Sequence, residues 1–105
     1  MSNAPDNGPL KITLCERRGE TATFIDAAIL ENGDLQLSGR DFGKAPLEHF
    51  GDIDYEYWLT VPSEHKDQLL LELLNQLYQG DIDVDTKLMD VLKAKSIPYK
   101  FDNYI

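Results

Sequence analysis

The chain has 105 residues, a hydrophobic share of 42%, and 19 acidic against 10 basic residues, for a formal charge of −9. That length fits one domain, and the apolar share argues against intrinsic disorder. Such a charge repels phosphate backbones unless the bases gather on one side, and Arg17 and Arg18 stand far from Lys93, Lys95 and Lys100, so nucleic-acid binding is not expected.

No apolar run approaches the roughly 20 residues a membrane-spanning helix needs, so no membrane partner is expected either. Residues 1–10 are mainly polar, hold Pro5, Gly8 and Pro9, and lack the basic start and apolar centre of a signal peptide. They read as a flexible N-terminal tail ahead of a single domain over residues 11–105. Cys15 is the only cysteine, which excludes an internal disulfide and suits a cytoplasmic location.

Residues 11–16 alternate, with Ile12 and Leu14 expected on one side of a pleat. Arg18-Gly19 supplies a turn. Residues 21–30 are rich in β-branched and aromatic types, with Ile25, Ala27 and Ile29 on one side. Asn32-Gly33 then predicts a two-residue type I′ hairpin turn, and residues 35–38 a short returning strand. Residues 39–52 read as a connection, with one helical turn after Pro46.

Residues 54–61 alternate cleanly and predict a strand. Tyr55, Tyr57, Leu59 and Val61 point one way, and Asp54, Glu56, Trp58 and Thr60 the other. Pro62 or Ser63 opens a helix whose Leu70, Leu73, Leu74 and Leu77 make an apolar stripe, with Gly80 as its C-terminal cap. Asp83 or Asp85 caps a second helix bearing Leu88, Met89, Val91 and Leu92, and Pro98 stops it. Residues 99–105 alternate again as a closing edge strand. The expected fold is α+β, in the order β-β-β-β-α-α-β, a mainly antiparallel sheet with two helices packed on one face.

The segments Asp54-Tyr55-Glu56-Tyr57-Trp58 and Val61-Pro62-Ser63-Glu64-His65-Lys66, followed by the leucine-rich helix, resemble a family of small uncharacterised bacterial proteins. The resemblance runs from about Lys11 to Phe101. It implies a stand-alone bacterial protein and carries no activity or functional residue across.

No catalytic constellation stands out. Asp81-Ile82-Asp83-Val84-Asp85 starts like a calcium loop, but the positions that need glycine and a bidentate glutamate hold Thr86 and Leu92. The alternation also suggests that Ile82 and Val84 are buried. Residues 39–44 fail as a phosphate loop, because three residues rather than four separate the glycines and Ala45 replaces the hydroxyl residue after Lys44. They read as a turn.

His49 and His65 lack the spacing that would draw them onto one metal, and His49 reads as packing beside Phe50. Cys15, placed on the face of Thr13, reads as a small semi-buried side chain. No metal or cofactor is expected.

One face remains. If the helices cover the tyrosine side of residues 54–61, Asp54, Glu56 and Trp58 form an acidic, aromatic-bearing binding surface, since tryptophan is enriched at hot spots. The other arrangement packs Trp58 beneath residues 39–52 or beneath the helices. The expected function is a non-catalytic acidic interaction module for a protein partner, basic by charge complementarity. The alternative is a small enzyme or enzyme subunit whose site, using Cys15, His49 or His65, is completed across an oligomer interface. Homodimerisation through the closing edge strand is a further arrangement.

Overall fold

The computed structural model describes residues 10–104. Apart from Leu10, which opens a strand, the expected N-terminal tail lies outside the described residues, as does Ile105. The β-branched and aromatic run Thr21–Ile29 forms β2. It pairs antiparallel with β1 (Leu10–Arg17) on one side and with β3 (Leu35–Gly43) on the other. Strand β4 (Asp54–Val61) completes the order β1-β2-β3-β4.

Helix α1 (Lys44–Phe50) joins β3 to β4. A 3-10 turn, Ser63–His65, leads into α2 (Lys66–Tyr78), and α3 (Val84–Ala94) follows. The protein is α+β, with a four-stranded antiparallel sheet and three helices. Two compact units divide between Leu69 and Leu70, with the sheet and α1 in the first.

In the sheet unit, unbroken register from β2 to β4 sorts the side chains. Tyr57 pairs with Gly39 and through it with Ile25, and Leu59 pairs with Leu37 and Ala27, so these share an apolar face. Trp58 pairs with Ser38 and Asp26, and Glu56 with Arg40 and Phe24, on the opposite face. The two sides of β4 are therefore those its alternation predicts.

Helix α1 lies against Tyr55 on this face. Phe50 stacks on Tyr55 with ring centroids 4.5 Å apart, and Pro46 is buried. Further along the apolar face, Leu10 is 76% exposed, Ile12 60% and Leu59 59%.

Tyr57 needs the glycine opposite it. A Cβ built on Gly39 would lie 2.0 Å from the Tyr57 ring, so the ring rests directly on the backbone of β3. This contact shows why residues 39–43 continue the strand where a turn was expected. The partner strand β2 is nine residues long, and the glycine makes room for a cross-strand ring rather than ending the pairing. Helix α1 is correspondingly longer than the single turn expected, with Pro46 inside its first turn, where no N–H is required. Thr21 Oγ1 accepts the Ala45 N–H at 2.8 Å at that helix start.

Two local expectations are corrected. The register of β1 shifts between Thr13 and Cys15, a bulge that leaves Leu14 out of the ladder. Cys15 therefore joins the apolar face opposite Ile25, while Thr13 stays on the polar face and donates to Asp26 at 2.9 Å. The β2–β3 turn is not type I′, which requires positive φ at both central residues. Gly33 has φ 92°, but Asn32 is not in that region, and Gly33 N–H donates to Leu30 O at 2.9 Å. The result is a three-residue loop, Glu31-Asn32-Gly33. Its tip is tied to the start of α2: Ser63 N–H donates to Asp34 Oδ1 at 2.8 Å, and Lys66 Nζ to Gly33 O at 2.7 Å.

In the second unit, Leu74, Tyr78, Val84, Leu88, Met89 and Leu92 are the half-buried apolar positions. Asp83 stands at the N-cap of α3 with no side-chain capping bond. Asp81 braces the turn ahead of the helix instead, accepting from Asp83 N–H and from Lys87 Nζ. The Lys87 hydrogen bond holds the Asp81 carboxyl below its ordinary pKa and the Lys87 ammonium above its own. Ile82, expected to be buried, is 92% exposed, because residues 81–83 are a turn and not a strand.

Helix α3 closes with Ser96 N–H on Lys93 O at 3.2 Å and Ile97 N–H on Leu92 O at 2.9 Å, with Ser96 at φ 56°. The expected closing strand does not form over residues 99–104, which have no ladder partner among the described residues. Alternation supplies a two-sided segment, but a strand also needs an edge to pair with. Pro98, Asp102 and Asn103 disfavour that pairing.

Gly39→Ala is expected to lower stability by about 1–3 kcal/mol in urea unfolding. In a Tyr57→Ala background the same change costs less, and equal costs in both backgrounds would show that ring and glycine do not meet. Ser96→Gly is expected to raise stability by about 0.5–1 kcal/mol, read as a higher unfolding midpoint, by relieving the left-handed serine.

Candidate functional site

The face opposite the tyrosines carries, row by row across the strands, Thr13-Asp26-Ser38-Trp58 and Glu16-Phe24-Arg40-Glu56, with Ala22-Phe42-Asp54 beyond. The three residues singled out from sequence thus stand together, at alternate positions of one strand. Their situations differ.

Asp54 is engaged. Arg40 Nε and Nη2 donate to its two oxygens at 3.0 and 2.8 Å, the planar fork that suits a carboxylate. That hydrogen bond, aided by the Asp54 charge, holds the Arg40 guanidinium above its ordinary pKa. The pair lies at the surface and adds little to stability; it fixes where Arg40 points.

Glu56 is exposed and makes no ion pair or side-chain hydrogen bond among the described residues. Trp58 is 61% exposed on the same face. The arrangement that buries the indole beneath residues 39–52 does not occur, because residues 39–43 continue β3 and α1 lies against Tyr55 on the other side. Between Phe24 and Trp58 the sheet carries an open depression of about 350 Å³, lined also by Asp26, Ser38, Arg40 and Glu56. Asp26 is partly satisfied, accepting from Thr13 and lying 3.5 Å from Lys11 Nζ.

Sequence reasoning missed Arg40, Phe24 and Asp26 as members of this surface. The signal was the alternation of Ser38, Arg40 and Phe42, which extends the returning strand past Gly39.

The residues of the alternative reading are dispersed. Cys15 lies on β1, facing the apolar side, His49 on α1 with its ring 6.2 Å from that of Phe50, and His65 in the 3-10 turn. Among the described residues, no three His, Cys, Asp or Glu side chains converge as a metal ion would require. No helix among them is long and apolar enough to cross a membrane.

Fold and surface together define an α+β protein whose sheet presents one exposed tryptophan beside a carboxylate with no ion-pair partner among the described residues. Compared with known proteins, the chain matches no family model, no curated protein and no solved structure.

Trp58 is the single tryptophan, so fluorescence excited beyond the absorption of the tyrosines reports this surface alone. Acrylamide is expected to quench it at more than half the rate measured for free indole, in keeping with its exposure. A blue-shifted emission resistant to quencher would place the ring in an apolar enclosure.

Proposed function

We propose that the chain is a non-catalytic acidic interaction module that engages a basic protein partner through Asp54, Glu56 and Trp58. The supporting observation is the exposed indole beside a carboxylate that makes no ion pair or side-chain hydrogen bond among the described residues. Large aromatics are usually mostly buried, and a tryptophan left in solvent on a polar sheet face is the residue type that anchors interfaces. The overall charge of −9 would draw a basic partner and speed its approach.

Within the trio the roles divide. Trp58 is the anchor, Glu56 the available charge, and Asp54 acts through Arg40 by fixing the guanidinium at the edge of the surface. Kinship with the small bacterial family, and a cytoplasmic setting, belong to the same proposal.

Affinity purification from the native host, comparing the unaltered chain with Trp58→Ala, tests the module. The variant is expected to lose a partner while its unfolding midpoint moves by no more than an ordinary surface substitution, about 0.5 kcal/mol. Equal recovery of every partner by both forms would defeat the proposal.

A further inference from the structure

The polar face of the sheet carries three aromatic side chains, and two of them are already matched with a cation of this chain. The Arg18 guanidinium lies 5.2 Å from the Phe24 ring centroid, and that of Arg40 5.3 Å from Phe42. Trp58 offers the strongest cation-attracting ring of the three and has no Lys or Arg over it among the described residues.

The carboxylates of the face show the same pattern. Asp54 holds Arg40, Asp26 holds Thr13 and Lys11, and Glu16 holds Arg18 at 3.2 Å, whereas Glu56 adds only a through-space attraction to Arg40 and makes no ion pair or side-chain hydrogen bond among the described residues. The unmatched ring and the unmatched carboxylate both line the depression of about 350 Å³. Arg40, the one cation lining the depression, is bound to Asp54, so the indole and Glu56 have no cation of their own among the described residues.

We propose that this depression receives a single lysine or arginine side chain of the partner, with Trp58 against the cation and Glu56 as its counter-ion. The inference rests on the interaction reading above and names the group that is recognised. Phe24 and the indole supply apolar surface for the methylene stem, while the charged end stays at the open rim, where it remains partly hydrated.

Arg40 does not reverse this preference. Its fork is committed to Asp54, so its charge is locally matched, and an incoming anion would face both Asp26 and Glu56. An arginine is favoured over a lysine, because its planar guanidinium stacks on the indole while bonding the carboxylate.

The test titrates the full chain with N-acetyl-arginine methylamide, following the Trp58 indole N–H resonance. N-acetyl-citrulline methylamide serves as the uncharged analogue of the same shape. A saturable shift with the arginine compound and little with the citrulline one is expected, with Glu56→Gln weakening the arginine affinity about threefold. Glu64→Gln, the same charge change made in the 3-10 turn, is expected to leave that affinity unchanged.

Equal shifts from both compounds, or equal weakening by both variants, would overturn the recess, as would an unmoved indole resonance. The two readings fail separately. If Trp58→Ala loses a partner that Glu56→Gln keeps, the interaction surface stands and the cation recess falls.

Discussion

Tyr57 rests on the bare backbone of Gly39, and this contact sets which way β4 faces. Side chains alternate with a period of two, so slipping the register by one residue would send Trp58 to the apolar side and Tyr57 to solvent. A ring can sit that close to a neighbouring strand only where the neighbour has no Cβ, and within the β3–β4 pairing glycine is available for it at Gly39. The stack of Phe50 on Tyr55 extends the same clamp towards α1. With the tyrosines held on one side, Asp54, Glu56 and Trp58 follow on the other.

The two faces differ in how completely their needs are met inside the chain. On the polar face most charges and rings have found a partner: Arg40 with Asp54 and Phe42, Arg18 with Glu16 and Phe24, Lys11 with Asp26. Each of these surface pairs contributes little to stability. Together they remove candidates, which is what makes Glu56 and Trp58 stand out. On the apolar face of the sheet unit, α1 lies against Tyr55, while Leu10, Ile12 and Leu59 keep much of their surface.

Much of the fold was legible wherever one periodicity ran long enough. The alternation of residues 54–61 gives β4 from end to end, and the leucine spacing after Pro62 gives α2. The features that escaped depend on contacts remote in sequence. Gly39 and Gly43 look like turn residues until Tyr57 and the long β2 are placed beside them. The bulge at Leu14 moves Cys15 to the other face without a glycine or proline to announce it. Residues 99–104 alternate as a strand would, yet alternation cannot supply an edge to pair with. The candidate surface was half legible: Trp58 and its acidic neighbours follow from β4 alone, whereas Arg40, which occupies Asp54, depends on reading β3 to its full length.

The central claim is the facing of β4, and the α-proton resonances of Gly39 test it most directly. A tyrosine ring lying over that backbone shifts at least one of them strongly upfield, and a Tyr57→Leu substitution returns it to its ordinary position. Gly39 protons at ordinary positions in the unaltered chain, together with indole contacts to the side chains of Ile25 or Leu37, would contradict the account.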